Sequence, residues 1–151
     1  MSVDVTMTDA AVDEGLGYKL SRTVPTFDTS AVKCLSYQTS SNTILLGSEG
    51  GIVTSYNCNN ATSNFTNVCH PYPITSLVDK KNSEKDGFIV GSREGYIRVF
   101  NTIGNDDGTN KNELDYVYTA HDKSISSLNM LNNNEYLVSS SWDGTAKVSD
   151  I

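Results

Sequence analysis

Positive charge is scarce in this chain. Its 151 residues carry 11 Lys and Arg against 18 Asp and Glu, a net charge of −7. An acidic chain repels phosphate backbones, which argues against nucleic acid as a direct ligand. Cysteine is scarce too: Cys34, Cys58 and Cys69 are the only three. Three cannot all pair, and none sit as C-x-x-C. With only His70 and His121 to join them, they do not make a spaced four-ligand zinc set. Reduced thiols in a cytoplasmic or nuclear protein are expected. No apolar run reaches the roughly 20 residues of a membrane-spanning helix. Residues 1–17, MSVDVTMTDAAVDEGLG, are acidic, lack a signal peptide's apolar core and are expected to be a flexible tail. There is no G-x-S-x-G elbow and no phosphate-binding glycine loop. No enzyme activity, cofactor, metal, nucleic acid or membrane contact is therefore expected.

What the chain does have is a mix of Thr, Ser, Asn, Val, Ile and Tyr, which suits strands joined by polar turns. Three segments repeat: NTILLGSEGGIVTSYN (42–57), DGFIVGSREGYIRVFN (86–101) and NEYLVSSSWDGTAKVSD (134–150). Each is an apolar run, then small residues, then a glycine turn, then an alternating run. Gly51, Gly95 and Gly144 share one slot, 44 and 49 residues apart. The alternation predicts hairpins with a buried face. A further strand is predicted before each hairpin, at 31–37, 74–78 and 124–131, and between units at 64–68 and 114–120. Four strands in about 40–45 residues is the size of a propeller blade. The longer second spacing predicts a surface loop at 103–113, rich in Asn, Asp and Gly.

The pattern resembles the WD40 repeat family. The resemblance implies an all-β propeller, here about three four-stranded antiparallel blades at about 18–63, 64–113 and 114–151. It also implies a structural relay in unit three. His121 is the loop histidine, Ser139 the second-strand hydroxyl and Asp143 the turn aspartate. The family's terminal Trp-Asp falls at Ser149-Asp150, so Trp142-Asp143 is not that dipeptide despite its letters. In units one and two, Gly50 and Glu94 hold the turn-Asp slot, Leu46 and Val90 replace the hydroxyl, and His70 matches the loop histidine of unit two. His121, Asp143 and Ser139 also spell a hydrolase triad, but the blade alignment explains all three.

Within that group, Tyr18-Lys19-Leu20, Val24-Pro25, Ala31-Val32-Lys33 and SSWDGTAKVS (140–149) resemble the phospholipase A2-activating protein family, ubiquitin-binding propeller adaptors of an AAA unfoldase. The resemblance spans about residues 18–149 and implies a ubiquitin-binding module in ubiquitin-dependent protein turnover. Unfoldase binding is implied only if that family's later domains accompany this chain. Phe27-Asp28 stands where the family has Gly-His. The alternative is a generic WD40 scaffold of a checkpoint, RNA-export or other complex. By the same resemblance, the tight turns present Glu49, Arg93 and Trp142 at one rim, with Tyr72 and Lys123 in the preceding loops. A Trp and an Arg at an exposed rim are good interface anchors. Three blades do not close a ring. Residues 18–24 are expected to be a closing strand, and the open edges are expected to mark a fragment or to drive self-association.

Overall fold

The computed structural model describes residues 23–24, 28–68, 71–81, 86–104, 110–131 and 135–151. The expected tail at 1–17, residues 18–22 of the expected closing strand, Phe27, Cys69 and His70 lie outside them. Residues 23–24 are not in a strand.

The regular structure is all β. Val32–Gln38 (β1), Thr43–Ser48 (β2), Ile52–Asn57 (β3) and Thr62–Val68 (β4) form the first antiparallel sheet. Ile74–Lys81 (β5), Asp86–Ser92 (β6), Tyr96–Gly104 (β7) and Asn110–Thr119 (β8) form the second. Ile125–Leu131 (β9), Tyr136–Ser141 (β10) and Ala146–Asp150 (β11) form a third sheet of three strands. Each sheet is a meander of neighbours in sequence. The sheets follow one another, with β1 against β5 and β5 against β9. Among the described residues they do not close into a ring.

Two details differ from the sequence reading. The fourth strands belong to the preceding sheet: β4 pairs with β3, and β8 with β7. Unit boundaries drawn at 63/64 and 113/114 therefore fall inside β4 and β8, the strands that complete the earlier sheets. Of the expected loop at 103–113, residues 105–109 lie outside the described residues, and 103–104 and 110–113 are strand. The β7–β8 ladder runs on through Asn101↔Glu113, Thr102↔Asn112, Ile103↔Lys111 and Gly104↔Asn110. Thr102 Oγ1 donates to Asn112 Oδ1 across it at 2.7 Å. Cross-strand polar pairs of this kind hold a ladder that composition alone reads as loop.

The same hairpin recurs three times. Gly51, Gly95 and Gly144 have φ of 80°, 83° and 87°. Each N–H reaches the carbonyl three residues back, Ser48, Ser92 or Ser141, at 3.2 Å. A turn ending in a left-handed residue suits glycine, because a side chain there meets the following carbonyl. The first strands share a bulge. Val32↔Ser48, Ile74↔Ser92 and Ile125↔Ser141 are paired, one residue is skipped, and the ladder resumes at Cys34, Ser76 and Ser127.

The core lies between sheets. Leu45, Val53, Ile74, Leu77, Phe88, Val90 and Phe100 fill the first junction, with Cys34 at its margin. Phe88 and Phe100 stack there at 4.9 Å. Ile89, Ile97, Val99, Ala120, Ile125, Leu128 and Leu137 fill the second junction. The second sheet thus buries both faces, which is why Phe88-Ile89-Val90 is a continuous apolar run rather than an alternating one. Each such side chain stabilises the fold by about 1.5–3 kcal/mol. Both junctions use one device. Ile74 sits over Gly47 and Ile125 over Gly91, where a Cβ would lie 2.8 Å from the isoleucine Cγ2.

Candidate functional site

The turns gather at one end of the sheets because each is tied to the residue before its own first strand. The N–H groups of Glu49, Arg93 and Trp142 donate to the carbonyls of Ala31, Pro73 and Ser124 at 2.9, 3.0 and 3.0 Å. The serine that opens each turn reinforces it. Ser48 Oγ accepts from Ile52 N–H at 3.2 Å, Ser92 Oγ from Tyr96 N–H at 3.1 Å, and Ser141 Oγ from Asp143 N–H at 3.1 Å. Ser48, Ser92 and Ser141 carry the same 44- and 49-residue spacing as the glycines. That spacing was the available sequence signal for them.

Unit three is the most tightly bonded. His121 Nδ1 lies 2.9 Å from Asp143 Oδ2, and Nε2 lies 2.8 Å from Ser139 Oγ. A carboxylate only accepts, so Nδ1 carries the proton towards Asp143, and Nε2 of the neutral ring accepts from the Ser139 hydroxyl. Thr145, which the sequence reading passed over, completes the set. Its Oγ1 donates to Asp143 Oδ1 at 2.6 Å and its N–H to the same oxygen at 2.9 Å. Asp122 N–H adds a bond to Oδ2 at 3.2 Å. The Asp143 carboxyl is held well below the usual carboxylate range. The Thr145 hydroxyl is the largest cause, opposed by desolvation and aided by the Thr145 N–H, the His121 ring and the Asp122 N–H. Lys147 Nζ donates to Ala120 O at 2.6 Å and pins the loop from the far side. Ser139 and His121 are both buried, so the hydroxyl faces the blade interior and acts as a relay donor where a nucleophile would need an open approach.

Unit one solves the same problem differently, and unit two has a buried polar pair at the end of its sheet away from the turn. In unit one, Ser48 Oγ donates to Asp28 Oδ2 at 2.7 Å. A Cβ at Gly50 would lie 2.5 Å from that oxygen. The carboxylate therefore comes from the loop, in the space the turn side chain vacates. In unit two, buried Lys80 Nζ donates to Asn101 Oδ1 at 3.0 Å.

The rim residues fall into three groups. Glu49 and Arg93 meet at 3.2 Å, and Lys33 joins Glu49 at 3.4 Å, so the first two turns share an exposed ion cluster. Such pairs contribute about 0–1 kcal/mol. Tyr72 stacks on Tyr96 with ring centroids 6.1 Å apart. Trp142 is 76% exposed. Lys123 lies in the loop beneath it, where its carbonyl accepts from Ser141 Oγ at 3.1 Å. Lys33 and Tyr96 were not singled out in the sequence, since neither sits in a turn slot. Among the described residues no cluster of three or more His, Cys, Asp or Glu side chains is placed to hold a metal ion. Cys34 and Cys58 are free thiols. Burial pushes the Cys34 thiol up to about 11, against a backbone bond from Gly47 that lowers it.

The family described as WD domain, G-beta repeat matches residues 112–150. That stretch runs from within β8 through β11 and holds His121, Ser139, Asp143 and Trp142. A WD40 repeat is present, and WD40 domains mediate protein–protein interactions. No curated protein matches the chain significantly. The narrower resemblance to the phospholipase A2-activating protein family finds no support in these matches.

Proposed function

We propose that this chain is a non-catalytic protein-interaction module that binds ubiquitin or ubiquitinated proteins at its turn rim, with Trp142 as the anchor. The observation that carries the rim reading is the state of Trp142. Its indole is 76% exposed, while its backbone is fixed by the bond to Ser124 O and by the bonded turn around Asp143. A large aromatic on a fixed backbone costs less ordering entropy when a partner covers it than one on a mobile loop. Lys123 lies beside it, and Arg93, Glu49 and Tyr72 supply polar and aromatic contacts at the other turns and loops. The choice of ubiquitin rests on the sequence resemblance over residues 18–149 and places the protein in ubiquitin-dependent turnover in the cytoplasm or nucleus. A contact with an AAA unfoldase belongs to this reading only alongside further domains.

The test is a ubiquitin pull-down with wild type and Trp142→Ala. Capture by wild type and loss in the variant is expected. Capture that is independent of Trp142 would sink the site assignment. No capture at all would leave the rim to a different partner and favour the generic scaffold.

A further inference from the structure

We propose that this chain binds a second copy of itself head to tail, the outward face of the first sheet seating on the outward face of the third. The observation is the repeated junction. Ladder register makes Val32, Ile74 and Ile125 equivalent, and likewise Leu35, Leu77 and Leu128. In the second and third sheets these positions pack on the preceding sheet: Ile74 and Ile125 are 0% exposed, and Leu77 and Leu128 are buried. In the first sheet, Val32 is 46% and Leu35 66% exposed.

The other side of the junction shows the mirror case. Val99 of β7 is equivalent to Val148 of β11, through the pairs Ile89↔Val99 and Val138↔Val148. Val99 is 0% exposed against the third sheet, whereas Val148 is 65% exposed. The turns agree. Gly95 O accepts from Ala120 and His121 N–H of the next sheet's leading loop at 3.0 and 3.1 Å. The equivalent Gly144 has nothing within 4 Å of the place a Cβ would occupy.

The chain therefore displays both halves of a contact it already makes twice internally. The halves also match in size. Isoleucine sits over glycine at both internal junctions. At the open faces the smaller Val32 would meet Ser140, the residue at the position of Gly47 and Gly91. Two different faces meeting is a heterologous contact, which closes into a ring or grows into a chain of copies. The contact involves different residues from the Trp142 rim and does not rest on the ubiquitin reading.

Sedimentation equilibrium of the full chain tests it. Wild type is expected to show species of at least twice the 16.4 kDa monomer mass, dissociating on dilution. Leu35→Asp and Val148→Asp change exposed side chains and should each sediment as a monomer. An equimolar mixture of the two should form a dimer and stop there, because one intact pair of faces remains. Urea midpoints matching wild type, at dilutions where wild type is monomeric, confirm that both variants fold. A monomeric wild type would overturn the proposal, including one whose two faces resist hydrogen exchange, since another segment of the same chain would then cover them. A mixture that stays monomeric, or association surviving either substitution, would overturn it as well.

Discussion

Gly95→Ala and Gly144→Ala place the same methyl group on two turns of nearly identical backbone, φ 83° and 87°. The left-handed conformation costs an L-residue about 1–2 kcal/mol, and both variants bear that cost. Their surroundings differ. At Gly95 the new Cβ would fall inside contact distance of the His121 carbonyl, whereas at Gly144 it meets nothing within 4 Å. The 120–123 loop must retreat in Gly95→Ala, breaking the Ala120 and His121 bonds to Gly95 O. Two lost bonds at about 1 kcal/mol each bring the total to at least about 3 kcal/mol, against about 1 kcal/mol for Gly144→Ala. The gap of about 2 kcal/mol is a factor of roughly 30 in the folding constant. Urea unfolding followed by circular dichroism measures both, at concentrations where the chain is monomeric. Hydrogen exchange at the His121 amide should accelerate only in Gly95→Ala. Equal losses in the two variants would refute the idea that each turn supports the next sheet's leading loop.

Two further outcomes follow from unit three. Asp143 has a folded carboxyl pKa depressed below its unfolded value of about 3.9. Its contribution is therefore complete above about pH 4 and declines as pH falls from there towards the folded value. The urea-midpoint gap between wild type and Asp143→Asn should be wide at pH 7 and narrower at pH 3; a gap that does not change with pH would contradict this. Ser139→Ala leaves the buried His121 Nε2 without its 2.8 Å partner and should destabilise by about 1–3 kcal/mol. Its effect should be non-additive with Asp143→Asn, as for members of one network, and simple additivity in a double-mutant cycle would dissolve the relay.

The hairpins were legible because glycine spacing and alternation are local signals. Gly51, Gly95 and Gly144 mark the turns, and the Ile97/Val99 alternation marks a face. The resemblance to the WD40 repeat implied His121, Ser139 and Asp143 as a set, and the His121 ring lies within hydrogen-bond distance of the other two side chains. Other features needed the fold. Asp28 supplies a carboxylate from a loop 20 residues before Ser48, with no motif to announce it. The Ile74–Gly47 and Ile125–Gly91 contacts join different sheets, so no window of sequence contains both partners. The flanks of the expected 103–113 loop, 103–104 and 110–113, are strand instead: Asn and Asp favour loops by composition, while the β7–β8 ladder is held by cross-strand partners. Trp142 sits in the turn slot that the repeat marks, whereas Tyr96 entered only through its stacking on Tyr72.

Trp142 stands exposed at the rim, open to cover by a partner. It is the chain's single tryptophan, so its fluorescence reports on this position alone. Emission close to that of tryptophan in water, with free access to a collisional quencher, is expected for the folded chain. Blue-shifted emission shielded from quencher, restored to the water value only on unfolding, would mean that the indole packs into the protein and would contradict the claim.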